Sequence, residues 1–363
     1  MAADVKVFAR NLEDEARRQV DTLASLDAFD GAKVRIMPDA HAGAGCVIGF
    51  TADLGEKVIP NLVGVDIGCG MLTTYIPQQP DFDRLDAVIR RDVPHGFGVH
   101  DEPTCDIASL GLRCFDHLRN VDRLDRSLGT LGGGNHFIAV DKEEGRFGAE
   151  CLIVHTGSRN LGLQVANIYQ QVAMETCDAD VPKDLKWLTG RDADDYLHDM
   201  RICQEWAARN RELIAMTILD GVNIGGGHWF HTTHNYIGDD NVIRKGAISA
   251  KRGESVLIPL NMRDGCLLCT GLGNADWNES APHGAGRRMS RRKARETLDV
   301  DEFKAQMGSV WSSTVCVETI DEAPGAYKDP QEIVDAIDGV TVTVKRRLRE
   351  LYNFKSTQVS RHG

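Results

Sequence analysis

Residues 58–76 read VIPNLVGVDIGCGMLTTYI, an apolar run, a glycine-rich turn carrying Asp66 and Cys69, and a second apolar run rich in Thr and Tyr. The glycines disfavour a continuing helix, and the β-branched and aromatic flank predicts a strand that starts where the turn ends. An acid and a thiol are thereby set at a strand end, where glycine lets backbone approach a ligand closely. The same plan recurs outward from this stretch. VRIMPDAHAGAGCVIGF at 34–50, LGGGNHFIAV at 131–140 and CLIVHTGSRN at 151–160 all place polar residues in glycine turns beside apolar strands, and a third β-rich region spans His231 to Leu272.

Helical spacing of apolar residues is confined to other segments. It covers residues 11–27, about 161–177, and 195–219, the last rich in strong helix formers. Residues 82–92 and 103–126 read as surface helices or loops, HGAGR at 283–287 as the opening of a basic helix, and the tail as a helix at 330–337 followed by a strand at 340–344. Strands and helices do not alternate regularly, which argues against Rossmann and TIM architectures. No repeat or long linker divides the chain. The expectation is an α+β fold, one large domain over residues 1–363, with several β-sheets carrying the active site on glycine-rich strand ends and helices packed outside.

A chain of 363 residues with 42% hydrophobic and 26% charged residues can bury a sizeable core and shows no signature of disorder, collagen or coiled coil. No apolar stretch reaches the roughly 18 residues that a membrane span requires, and the first 19 residues lack an apolar signal-peptide centre, so a cytoplasmic location is expected. Ten cysteines at irregular spacing fit reduced thiols, and Cys266 with Cys269 lacks the second pair a zinc ribbon needs. The net charge of −12 opposes indiscriminate nucleic-acid binding, yet GRRMSRRKAR at 286–295 and the cluster at 345–349 are local basic patches where an RNA end could dock.

The residues suited to chemistry share the glycine-rich context: Asp66, Cys69, His136, His155, His234 and His283. One carboxylate, one thiol and three imidazoles form a mixed hard and soft donor set that suits zinc, iron or manganese. Five donors exceed the needs of one tetrahedral ion, so a pair of ions bridged by Cys69 is expected, an arrangement used to hold and neutralise phosphoryl oxygens. His283 stands apart, because glycines and a basic run follow it. A neutral imidazole beside an anchored phosphate is a nucleophile for covalent nucleotidyl transfer.

The ordered strings PDAHAGAG (38–45), GVDIGCGM (64–71), GGGNHF (132–137), HTGSRN (155–160), HN (234–235), RKGA (244–247), SAPHGAGRRMSR (280–291) and DEAPGAYK (321–328) together resemble the RNA-splicing ligase RtcB family, in a compact subgroup. The resemblance runs from about Pro38 to Lys328 and implies an RtcB-like fold and GTP- and manganese-dependent joining of RNA 3′-phosphate or 2′,3′-cyclic phosphate ends to 5′-hydroxyl ends, in RNA repair or tRNA splicing. By that resemblance Asp66, Cys69, His136, His155 and His234 hold two Mn2+ ions, and His283 is guanylylated. GMP is held by Asn135, Asn235, Pro259, Leu260, Asn261, Met262, Cys266, Gly284, Ala285 and Gly286, while Arg159 and Tyr327 line the site. RNA with broken ends and GTP are the implied partners; the need for an activating protein, the oligomeric state and the physiological RNA stay open.

Three departures stand out. Ala139 replaces a carboxylate that the family carries near the guanylate, Asn261 and Cys266 replace two serines against GMP, and the tail ends NFKSTQVSRHG in place of the family's terminal Lys-Gly, whose lysine touches the nucleotide. Lys355 is not assigned that role from sequence. Two rival readings follow: a metal-dependent phosphoesterase in which His283 is only an acid or base, and a non-catalytic RNA-end-binding paralogue.

Overall fold

The computed structural model describes residues 2–145 and 148–358. Its centre is a seven-stranded sheet in the order Ser255–Asn261, Gly265–Gly271, Val342–Phe354, Phe137–Glu143, Glu150–Thr156, Gly70–Ile76 and Trp229–Thr233. All six pairings are antiparallel. A five-stranded sheet runs Asp4–Val7, Lys33–His41, Ile48–Asp53, Val242–Lys245 and Asn235–Ile237, and Ala247–Ser249 pairs with Ser280–Pro282 as a small ribbon. The fold class is α+β, as expected, with the glycine-rich turns at strand ends.

The central strand Glu150–Thr156 is buried at every position, because both faces of its sheet are covered. On one side, Leu152 and Val154 pack with Ile214 and Ile218 of the helix Gly190–Val222. On the other, Cys151 and Ile153 meet Met71, Leu257, Cys266 and Leu348. A strand covered twice shows no apolar–polar alternation, which is why CLIV reads as a continuous apolar run. The sheet also curls: Leu257, at one edge of its strand order, donates its N–H to Thr232 Oγ1 of the opposite edge strand at 3.1 Å.

The long helix buries a stripe that includes Tyr196, Met200, Cys203, Ala207, Ile214 and Ile218, spaced three, four or seven residues apart. Asn223 ends it in the left-handed conformation, a conformation Asn tolerates. The same stripe carries Asn210 and Arg211, both buried. Asn210 Oδ1 accepts the N–H groups of Gly129 and Thr130, and Arg211 donates to the carbonyls of Gly68 and Thr156 at 2.8 and 2.9 Å. The scaffold helix thus fixes the turns before and after the ligand-bearing strands.

Two local expectations are revised. The basic helix does not open at HGAGR: residues 283–290 form turns, and the helix starts at Arg291 with Ser290 as its N-cap. Gly286 has φ of +75°, incompatible with helix entry there. The terminal strand extends over Val342–Phe354, far beyond 344, because pairing with Gly265–Gly271 and Phe137–Glu143 on its two sides outweighs the low strand preference of the KRRLRE stretch. No helix among the described residues is long and apolar enough to cross a membrane.

Candidate active site

Strand order assembles the ligand set. Phe137–Glu143, Glu150–Thr156, Gly70–Ile76 and Trp229–Thr233 are consecutive neighbours, and register places Phe137 opposite His155 and Gly70 opposite both Thr156 and Thr233. His136, His155, Cys69 and His234 therefore stand along one end of four adjacent strands, with Asp66 in the turn before Cys69. The turn is tied down by Gly68 N–H donating to Asn235 O at 2.8 Å and His234 N–H donating to Cys69 O at 2.9 Å.

Two groups of donors result, Asp66–Cys69–His136 and Cys69–His155–His234, the ligand atoms within each lying within 4.8 Å of one another. Cys69 Sγ belongs to both, 3.5 Å from His136 Nε2 and 3.4 Å from His155 Nε2. Asp66 Oδ2 is 2.8 Å from His136 Nε2. Glycine at 157 leaves room for the carboxylate in its present place, since a Cβ there would stand 2.1 Å from Asp66 Oδ1 and push it aside.

The chemistry of these donors fits metal ions. His136 Nδ1 lies 2.9 Å from Leu131 O and His155 Nδ1 lies 3.1 Å from Asn135 O, so each ring donates from Nδ1 and bares Nε2 as a lone pair, the usual second-shell orientation of a metal-binding imidazole. His155 Nε2 and His234 Nε2 are then only 3.1 Å apart. If His234 donates from Nε2, its Nδ1 stays a buried acceptor without a partner; if it does not, two lone pairs face each other. A cation resolves either case. Burial, then the neighbouring imidazoles, keep His155 and His234 well below the ordinary histidine range and hence neutral. Burial would raise Asp66, but a proton on His136 Nε2, standing where a bound cation would take its place, outweighs it by charge and hydrogen bond and holds the carboxyl at about 2. Burial and the Asp66 charge push the Cys69 thiol well up.

His283 follows the ribbon strand Ser280–Pro282, and its ring centroid lies 4.9 Å from that of His234. Its Nδ1 stands 2.7 Å from Oδ2 of Asp39, within ion-pair distance but outside hydrogen-bond geometry, and its backbone N–H donates to the same oxygen at 3.2 Å. Asp39 is fully buried, delivered by the strand Lys33–His41 of the second sheet. At Gly286 a Cβ would meet Asp39 O at 2.3 Å, so this close approach again requires glycine.

A cavity of about 720 Å3 opens over these groups. Asp66, His155, His234 and His283 reach its wall, as do all of Asn135, Asn235, Pro259, Leu260, Asn261, Met262, Cys266, Gly284, Ala285 and Gly286, and Tyr327. Arg159 lies away from that wall, donating to Thr130 Oγ1 and Gly96 O while its charge lowers Asp66. Asn235 joins turn to ribbon, its Oδ1 accepting from Gly246 N–H and its Nδ2 donating to Asp66 O.

Some cavity groups escaped sequence reasoning. So did Asp39, because the 244 residues that separate it from His283 hide the pairing. Lys355 is buried, donating to Glu322 at 2.8 Å and to Asn135 O at 3.3 Å. Glu322 also takes Tyr327 Oη–H at 2.8 Å and Arg291 at 2.5 Å. Part of the basic run is consequently tied to buried acids: Arg287 and Arg291 pair with Glu322, and Arg291 and Arg295 with Asp321. Arg288, Arg292 and Lys293 remain toward solvent. All ten cysteines are free.

Fold and site thus define a mixed sheet-and-helix protein that carries a candidate two-ion centre beside an acid-paired histidine. The chain matches the family described as tRNA-splicing ligase RtcB over residues 19–114 and 113–356, and it belongs to that family. It is 29% identical to the RNA-splicing ligase RtcB of Escherichia coli (strain K12) over 384 residues, 92% of this chain and 93% of that protein. It is similar also to the tRNA-splicing ligases RtcB of Nanoarchaeum equitans (strain Kin4-M), 29% over 429 residues and 92% and 89% of the two chains, and of Aeropyrum pernix, 26% over 440 residues and 94% and 91%.

Proposed function

We propose that this chain is an RNA ligase that joins a 3′-phosphate or 2′,3′-cyclic phosphate RNA end to a 5′-hydroxyl end, with GTP as the energy source and two manganese ions in the Asp66–Cys69–His136–His155–His234 centre. The observation that carries the reading is the placement of His283, against Asp39 on one side and the shared-sulfur donor set on the other, in the wall of a cavity large enough for a nucleotide. Support for RNA as substrate comes from the family; manganese and GTP come from the resemblance of the motifs.

A small rotation of the ring lets Asp39, 2.7 Å away, accept the Nδ1 proton, which leaves Nε2 of His283 bare as nucleophile. Nε2 attacks the α-phosphorus of GTP, an N–P bond forming as the bond to pyrophosphate breaks. Developing positive charge on the ring is met by Asp39. The RNA 3′-phosphate then displaces the imidazole, taking the guanylate, and the 5′-hydroxyl oxygen displaces GMP to close the phosphodiester. A cyclic end is first opened by water. Metal ions bound by the five donors would supply charge neutralisation for phosphoryl oxygens. Asn135, Asn235, residues 259–262, Cys266 and residues 284–286 hold the nucleotide, with Pro259, Leu260 and Met262 as apolar walls.

The test is ligation by purified protein of two RNA halves bearing 2′,3′-cyclic phosphate and 5′-hydroxyl ends, with GTP and Mn2+. Joined RNA that depends on both is expected. Hydrolysis of the phosphate ends without joining favours the phosphoesterase reading, and binding without turnover the non-catalytic one.

A further inference from the structure

One buried group of acceptors in the cavity has no role in the steps above. Glu350 and Asn353, 4% and 2% exposed, line the cavity wall beside Cys266. Register sets Glu350 directly opposite Asp141 and Asn353 directly opposite Ala139, and a bulge between Glu350 and Tyr352 turns these two residues, three apart, to one face of the sheet. Asn353 Nδ2 donates to Glu350 Oε1 at 2.5 Å. Among the described residues, Asn353 Oδ1 and both carboxylate oxygens of Asp141 are buried without a nitrogen or oxygen donor, the Cys266 thiol beside Asp141 being a weak one.

Such a cluster is an unmet demand for donors. A buried acceptor left unsatisfied is destabilising, the more so if charged. Burial, then the charge of Asp141 opposite, pushes the Glu350 carboxyl well up, and donors facing it from a ligand would restore the ionised form. The nearest cation, Lys355, is already committed to Glu322 and Asn135 O. Phe137, Leu260 and Met262 contribute apolar surface to the same cavity, so the ligand that answers the demand is a flat ring whose edge carries N–H donors. Guanine offers two adjacent ones, N1–H and the 2-amino group. Adenine puts an acceptor at N1, which would face a carboxylate.

We propose that Glu350 and Asn353, backed by Asp141, form the base-reading subsite of the cavity, with the Glu350 carboxylate accepting from guanine N1–H and the 2-amino group and Asn353 Oδ1 accepting at its side. This rests on the nucleotide reading of the cavity. Ala139, opposite Asn353, contributes no polar atom; its small side chain leaves the acceptors of the neighbouring strand open to the base.

The experiment measures equilibrium binding of GTP, inosine triphosphate, N1-methyl-GTP and ATP to the Mn2+-loaded protein, for the wild type and for Glu350→Ala, Glu350→Gln and Asn353→Ala, with metal content assayed in each. The wild type should prefer GTP to N1-methyl-GTP and ATP by at least tenfold, with inosine triphosphate between. Glu350→Ala should weaken GTP by at least about tenfold, as expected for losing charge-assisted hydrogen bonds, with ATP and metal content unchanged, so that discrimination collapses. Equal wild-type binding of GTP and N1-methyl-GTP overturns the assignment, and that arm needs no variant to fold. Full discrimination retained in both Glu350 variants overturns it as well. If no nucleotide of any base binds a metal-loaded protein, the nucleotide reading itself falls; binding of GTP without dependence on Glu350 removes only the subsite.

Discussion

At the scale of single residues, the site separates ligands from the groups that serve them. Cys69→Ala should abolish metal loading because its sulfur belongs to both donor groups, whereas His283→Ala should leave metal content normal while losing any covalent nucleotide. Equal metal loss in both variants would make His283 a ligand. Gly157→Ala tests geometry alone: the new methyl displaces Asp66, and metal affinity measured by competition with a chelator should drop by about 10–100-fold, the usual effect of disturbing ligand orientation. Asp141 makes a pH prediction. Burial raises its carboxyl to about 7, whereas an unfolded aspartate titrates at about 3.9. Between those values the folded chain binds more protons, so stability declines as pH rises from about 4 to about 7. Asp141→Asn should flatten that decline in thermal denaturation, Glu350 opposite and Cys266 beside it remaining; an unaltered slope would contradict the burial argument.

At the scale of elements, the helix Gly190–Val222 holds the ligand turns from behind. Arg211→Met would strip hydrogen bonds from Gly68 O and Thr156 O, the carbonyls next to Cys69 and His155. Leaving those acceptors unmet predicts a loss of about 1–3 kcal/mol each, seen in chemical denaturation and accompanied by lower metal occupancy. Normal occupancy would show that the turns hold themselves. That helix was legible from its spacing, and so were the strands that end at glycine. The 13-residue terminal strand was not, because pairing on two sides, absent from local sequence, decides it. The basic run misled for a related reason: the buried acids Asp321 and Glu322, some 30 residues downstream, tie three of its arginines into ion pairs. The donors themselves were readable one by one, since glycine marks each; the acid that partners His283 lies on another sheet, and Glu350 sits in a stretch that reads as a charged surface.

At the scale of the whole molecule, a net charge of −12 must coexist with a polyanionic substrate, so RNA contacts depend on local cations that remain unpaired by the fold. Arg288→Ala with Lys293→Ala should raise the KM for RNA and flatten its salt dependence, leaving stability unaltered; no change would assign those side chains to solvent. Glu322→Gln should act in the opposite sense, destabilising the fold by about 3–5 kcal/mol because Lys355 and Arg291 lose their buried counter-charge. The central claim joins these scales: one sheet gathers five donors, three of them in the cavity wall, and the second sheet and the ribbon set an acid-paired imidazole beside them so that the imidazole can carry a nucleotide. Its most direct test is peptide mapping by mass spectrometry after incubation with GTP and Mn2+. A guanylate on His283, absent from Cys69→Ala protein, is the predicted result; a metal-loaded protein with no adduct, or an adduct on another residue, would contradict it.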